Sequence, residues 1–399
     1  MDSVRQALLD GRGEVPRLGM VRAGSTGSLP FLVVDEAGVE VEPFTVFLRD
    51  LMLTDMSPLT ARSYGNDLLR WWRLLRVLGV RWDHATRDEV EVLVGWMRSA
   101  DNPQRHRRRP DSSAAGSVNR RTGKQALSQG YAPATINHTL SVLGSFYAFH
   151  AQFGRGPVVN PVPTSASRRA RLAHRSPIEA QAEHRRAPLR QKPPALLPRA
   201  IPDGLVQELI VAMRSNRDQA LLALYLSSGA RASELLGVRG GQVDWTRQQV
   251  WVVSKGTRAL QPVPASPEAL LHLARYFEEH GTPAEGEIIW RALRGQPRPL
   301  SYFAARRVLQ RANALLGTDW TLHDLRHTTI ERMVSDPALT LADVMTVTRH
   351  QRVASLDPYL RPRVDEVFER LQQHYAQPRP SQTLTPGYDA EDFRAVFGG

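Results

Sequence analysis

A mainly α-helical chain with one small antiparallel β-sheet, divided into two domains, is what three features of this 399-residue sequence predict. Apolar residues recur at helical spacing through most of its segments. One pair of extended runs, QQVWVVS and ALQPVPA around the turn-like KGTR, forms a clear hairpin signal. Two strips rich in Pro, Ser, Ala and Gly, residues 101–130 and 164–200, break the periodicity and read as an extended loop and an interdomain linker.

Residues 1–40 show no strong period, and PFLVVDEAGVEVEPF reads as a short strand or hairpin. Ser57-Pro58 has the form of an N-cap and N1 pair opening LTARSYGNDLLRWWRLLRVLG, where Leu59, Tyr64, Leu68, Trp71, Leu75 and Leu78 lie near helical spacing. Thr86 and Glu89 have capping-box spacing before VEVLVGWM. YAPATINHTLSVLGSFYAFHAQFG is a further helix, ending towards Asn160-Pro161. Trp71, Trp72, Trp82 and Trp96 are expected in the core of this bundle rather than as stacking platforms. Beyond the linker come IPDGLVQELIVAMRS, DQALLALYLSSG and RASELLGV, then the hairpin, then SPEALLHLARYFEEH, SYFAARRVLQRANALLG, DLRHTTIERMVS and LTLADVMTVTRH.

Composition narrows the function. No run approaches the roughly 20 apolar residues that span a bilayer, and MDSVRQALLDGRG lacks the apolar stretch of a signal peptide. The absence of cysteine excludes disulfides and thiolate metal sites, and a cytoplasmic protein is expected. The two strips together carry the whole net charge of +12. Placing all of it in extended segments suggests a polyanion partner, although solvated spacers would look the same. Arg105, Arg107, Arg108, Arg109, Arg168, Arg169, Arg171, Arg185 and Arg186 are the candidate DNA contacts. Of the 52 basic residues only Lys124, Lys192 and Lys255 are lysine. Lys255 falls at the hairpin turn, and a lysine, unlike an arginine, can release and regain a proton, so it is a candidate general acid.

HDLRH (residues 323–327) admits two readings. His323 and His327 at i, i+4 have the spacing of two zinc ligands on a helix, with Asp324 where a carboxylate base would fall. His323 and Arg326 at i, i+3 would instead face a phosphate.

Five segments follow one another in the second domain: SSGARASELLGV with Arg231, VVSKGTR with Lys255, LHDLRH with His323 and Arg326, TVTRHQ with His350, and DPYLRP with Tyr359. In this order the set resembles the tyrosine recombinase (phage integrase) family, whose active site is Arg, Lys, His-x-x-Arg, His or Trp, and Tyr. The resemblance covers roughly residues 41–375. It implies a helical, SAM-like core-binding domain over 41–163 with a basic loop at 101–130, and an α+β catalytic domain over 201–376. An extension (1–40), a basic linker (164–200) and a tail (377–399) complete the expected organisation.

The implied chemistry agrees with the residue types. Arg231 and Arg326 would clamp the non-bridging oxygens of a phosphodiester. Lys255 would protonate the leaving 5′ oxygen. Tyr359 would attack phosphorus and store the bond energy as a phosphotyrosine ester. His323 would accept or position the tyrosine proton, His350 would hydrogen-bond a non-bridging oxygen, and Glu234 would orient the cluster. Asp324 is expected as a helix-start cap and His327 as a packed support. No cofactor or metal is implied. The partners implied are double-stranded DNA bearing specific recombination sites, three further copies of the chain in a tetramer acting through a Holliday junction, and accessory directionality or DNA-bending proteins. A C-shaped clamp on the duplex, in a bacterial cytoplasm, serving a mobile element, completes the expectation. Alternatives are a type IB topoisomerase, a DNA-binding regulator with a decayed site, and the zinc hydrolase suggested by the two histidines.

Two departures from the family's wording stand out. Arg349 occupies a position where a small residue, often glycine, is usual. QRVASLDP replaces the usual threonine pair and sets Pro358 directly before Tyr359, which biases Asp357 away from helix and places the tyrosine on a loop or helix start.

Overall fold

The structure, a computed structural model, describes residues 2–101, 116–164, 186–194, 198–255, 257–350, 352–360, 364–377 and 390–397. The chain divides into two units, Met1–Ala195 and Leu196–Gly399. It is mainly helical with small antiparallel sheets, in agreement with the fold class read from the sequence.

The first unit comprises α1 (Asp2–Leu9), the hairpin β1 (Met20–Thr26) and β2 (Leu29–Val34), then α2 (Glu42–Leu53), α3 (Pro58–Leu78), α4 (Arg87–Ser99) and α5 (Pro133–Gln152). Phe44, Leu68, Trp71, Leu93, Met97 and Phe146 are buried at its centre. Trp71 donates its indole N–H to the Tyr147 hydroxyl at 2.9 Å, and that hydroxyl donates to the Trp82 carbonyl at 3.0 Å, so both polar tips in this apolar core are satisfied. Of the four expected core tryptophans Trp71 and Trp96 are buried, while Trp72 and Trp82 sit half-buried at its margin. The Thr86–Glu89 capping box forms, with Thr86 N–H donating to Glu89 Oε2 at 2.7 Å. Ser57 stands at the N-cap of α3 but its side chain makes no capping bond.

Residues 1–40, read from the sequence as an N-terminal extension, contribute to the core of the first unit. Leu8, Leu29, Leu32, Val33 and Val34 lie in the same core as the helices. The hairpin also begins earlier than the apolar run suggested, pairing Met20 with Val34 and Ala23 with Phe31. Strand β1 (MVRAGST) is largely exposed, so it lacks the alternating apolar pattern that reveals a half-buried strand.

The second unit comprises α6 (Asp203–Ala212), α7 (Asn216–Ser228), α8 (Ala232–Leu236), strands β3 (Val243–Asp244), β4 (Gln249–Val253) and β5 (Leu260–Pro264), then α9 (Pro267–His280), α10 (Tyr302–Leu316), α11 (Leu322–Ser335), α12 (Leu341–Thr348), α13 (Val364–Ala376) and α14 (Ala390–Phe397). Helix α7 is apolar nearly all round, with Leu221, Leu222, Ala223, Leu224 and Tyr225 buried, and it is the central helix of this core. The antiparallel sheet runs β3-β4-β5, with Val250 opposite Val263 and Val252 opposite Gln261. Val250, Val252 and Val263 face the core. A small satellite cluster, Ile330, Val344 and Leu356, joins α11 and α12 to the turn that follows, with Tyr359 packed against it.

Candidate active site

Helix α7 ends at Gly229, whose φ of +57° is the left-handed conformation glycine tolerates without strain. A Cβ there would approach Thr329 Cγ2 to 3.3 Å. The reversal lets Arg231 open α8, and it exposes the Gly229 carbonyl, which accepts from Arg326 Nη1.

Glu234 lies one turn into α8 with its side chain only 1% exposed. Its Oε2 accepts from the Arg231 backbone N–H at 2.8 Å and from Arg349 Nη2 at 2.7 Å. Its Oε1 accepts from Arg231 Nη1 at 2.9 Å and from the Lys255 backbone N–H at 3.2 Å. One buried carboxylate therefore joins the start of α8, the β4–β5 turn and the end of α12. Burial pushes its pKa up, but the Arg231 amide, the charge of Arg349 and the remaining hydrogen bonds outweigh that and hold it below the ordinary glutamate value.

Arg326, 4% exposed, projects from the middle of α11. Its Nη2 donates to the Thr348 carbonyl at 2.7 Å and meets His350 Nε2 at 3.2 Å. Burial, followed by the charges of Arg231 and Arg349, lowers its pKa to about 10, so it stays cationic at neutral pH. The other nitrogen of His350, Nδ1, lies 2.8 Å from Thr348 Oγ1. Burial and three neighbouring arginines lower His350 to about 4, which keeps this ring neutral.

Thr321 caps α11, accepting from the Asp324 N–H while its own N–H donates to Asp324 Oδ2 at 2.8 Å. The same carboxylate accepts from Arg199 Nη2 at 2.6 Å. Asp324 is thus engaged at the helix start. His323 reaches solvent in the first turn, and His327 follows one turn later, their rings edge to face with centroids 4.2 Å apart.

Tyr359 lies in the turn after a short 3-10 segment (Val353–Ser355), as the proline before it foreshadows, and its N–H donates to the Leu356 carbonyl at 2.8 Å. Its hydroxyl is hydrogen-bonded to His327 Nδ1. Burial raises the phenol to about 12, only partly offset by Arg326, and burial first, then His323, lowers His327 to about 4. The phenol is therefore protonated and donates, and the neutral imidazole accepts. His327, expected as a packed support, is the histidine in contact with the tyrosine, and no hydrogen bond joins Tyr359 to His323 among the described residues. The i, i+4 spacing was the available signal, since it puts both histidines on one face.

The structure brings together Arg231, Glu234, His323, Arg326, His327, His350 and Tyr359, with the Lys255 backbone tied to Glu234 and the Lys255 side chain exposed on its turn. Arg349, not selected from the sequence as a site residue, belongs to the same cluster. Among the described residues no three His, Asp or Glu side chains are grouped as metal ligands. Of the candidate DNA contacts, Arg186 is exposed, and Arg105, Arg107, Arg108, Arg109, Arg168, Arg169, Arg171 and Arg185 lie outside the described residues.

The arginines, histidines and tyrosine gathered here are groups suited to meeting a phosphodiester. Residues 203–366 match the phage integrase family, and this segment is similar to the tyrosine recombinases. It is 20% identical over 318 residues to transposase A from transposon Tn554 of Staphylococcus aureus, covering 77% of this chain and 83% of that protein. It is 30% identical over 142 residues to the tyrosine recombinase XerD of Pseudomonas aeruginosa, 33% of this chain and 47% of that one. Its fold is shared with a lambda integrase dimer bound to a COC' core site (TM-score 0.51, 14% identity, 78% and 94% of the two chains). It is shared also with the Tn1549 transposon integrase in complex with a circular intermediate DNA (TM-score 0.52, 12% identity, 84% and 98%).

Proposed function

We propose that this chain is a site-specific DNA recombinase of a mobile element, in which Tyr359 cleaves DNA to leave a 3′-phosphotyrosyl bond. The observation that carries the reading is the Tyr359 hydroxyl held on His327 Nδ1, in a cluster where Arg326 and Arg231 supply two guanidiniums. In this reaction the Tyr359 oxygen bonds to phosphorus and the bond to the 5′ oxygen breaks. The phenolic proton passes to His327 Nδ1. The departing 5′ oxygen takes a proton from Lys255, whose exposed side chain on the β4–β5 turn is free to meet a bound strand. Arg231 and Arg326 bind the non-bridging oxygens as charge develops on them, and the neutral His350, its Nε2 accepting from Arg326, holds that guanidinium in place. Rejoining is the reverse, with the bond energy conserved in the ester.

Lambda integrase has been solved as a tetramer bound to a Holliday junction, and a tetramer exchanging strands through such a junction is our reading of this chain's assembly. Among the described residues no helix is long and apolar enough to cross a membrane. Action on DNA in a bacterial cytoplasm belongs to the same proposal.

A nicked suicide duplex carrying the element's end tests the cleavage step. The native chain is expected to become covalently linked to DNA through the peptide containing Tyr359, and Tyr359→Phe to leave none of this adduct. An adduct on another residue, or its persistence in the variant, would overturn the assignment. A requirement for a partner site distinguishes recombination from simple nicking and closing.

A further inference from the structure

Arg349 is an arginine in a place that opposes one. It caps the C-terminus of α12 with φ +57°, the left-handed region that favours glycine. Its side chain turns inward and is 5% exposed. Nη2 donates to Glu234 Oε2 at 2.7 Å and Nη1 to the Val347 carbonyl at 2.7 Å, while Nε, also buried, meets no acceptor among the described residues. A strained backbone and a buried N–H are both unfavourable, and the contact set against them is the one with Glu234.

Arg231 and Arg349 are hydrogen-bonded to Glu234, the amides of Arg231 and Lys255 supplement them, and the charge of Arg326 lies near without a hydrogen bond to it. Arg231 also faces the site where phosphate would bind, whereas both Nη groups of Arg349 are committed to the protein. A carboxylate held by Arg231 alone would compete with the phosphate for that guanidinium. With Arg349 occupying Oε2, Glu234 orients Arg231 through Oε1 and the Lys255 turn through the same oxygen. The left-handed turn at Arg349 also delivers the next residue, His350, onto Arg326.

Resting on the cleavage reading above, we propose that Arg349 is a positioning residue for DNA cleavage, acting through Glu234 to set the Arg231 guanidinium and the Lys255 turn. Loss of Arg349 would leave Glu234 with one hydrogen-bonded cation in a buried place, so its carboxyl would protonate at higher pH and release both segments.

Single-turnover cleavage of the suicide duplex, followed across pH, tests this with R349G, R349K, E234Q and the R349G/E234Q double variant, each checked by thermal melting. R349G is expected to cleave roughly 10- to 100-fold more slowly, as loss of one charged hydrogen-bonding partner implies. Its acid limb should move to higher pH, and DNA affinity should change less than rate. R349K, which keeps the charge, should recover part of the rate and return the acid limb towards the native position. The double variant should be no slower than E234Q alone. Native rates in R349G, an unmoved acid limb, or losses that multiply in the double variant would each overturn the proposal. If R349G fails to fold, R349Q, which keeps length without charge, is read against the same criteria. Absence of an adduct with the native chain would overturn the cleavage reading itself, and this proposal with it.

Discussion

His323 and His327 differ by one helical turn, and that turn separates two surroundings. His327 touches the Tyr359 hydroxyl, and His323 stands outside it towards solvent. His327→Gln preserves a hydrogen-bond acceptor for the hydroxyl but cannot take up its proton. We expect it to slow cleavage by about 10²- to 10⁴-fold, the usual range for general base catalysis, with His323→Gln milder. The reverse order in a suicide-substrate assay would return the role to His323. The sign of the pH dependence follows from burial. His327 must be neutral to accept, and its pKa of about 4 lies below the ordinary value of 6.5, so activity depending on it persists below pH 6.5 and is lost as pH falls through about 4. The types and order of these residues were legible in the sequence. Which histidine meets the tyrosine was not, because it depends on where a turn 32 residues later is anchored.

The elements show the same division between pattern and packing. The hairpin around KGTR was readable because Val250 and Val252 alternate inward, whereas the first-unit hairpin was misplaced because β1 is mostly exposed and carries no such alternation. Arg349 was visible as an odd residue, but its burial against Glu234 is a tertiary fact. Helix α13 presents Phe368, Leu371 and Tyr375 to solvent, at 58%, 37% and 76% exposure. An apolar stripe left open in this way fits a contact between copies of the chain on DNA. Truncation before residue 364 is expected to leave the melting temperature within a few degrees and covalent adduct formation intact, while abolishing tetramers in analytical ultracentrifugation with paired DNA sites. Undiminished tetramer formation and recombination would remove α13 from the assembly.

For the whole molecule, charge placement was the most informative sequence feature and the least visible structurally, since most of the two basic strips lies outside the described residues. The sequence reading also separated residues 1–40 from the helices that bury Leu8 and Val33, because a short amphipathic helix and a polar strand give little periodic signal. Replacing Arg168, Arg169, Arg171, Arg185 and Arg186 by Gln should weaken DNA binding with little loss of thermal stability. If each contacts one phosphate, the slope of log affinity against log salt should become shallower by up to about 4.5, at roughly 0.9 per contact. An unchanged slope would make the linker a spacer.

The buried hub around Glu234 also fixes an electrical balance. Three guanidiniums, from Arg231, Arg326 and Arg349, surround a single carboxylate, and the two low-pKa histidines at the centre add nothing at neutral pH. Two positive charges are left over. A phosphodiester brings one negative charge, and its five-coordinate form during tyrosine attack carries two. On the proposed cleavage reading, with the phenolic proton resting on His327, the pocket is at its most positive when the strand is at its most negative, so its electrostatic preference is for the species that exists for an instant.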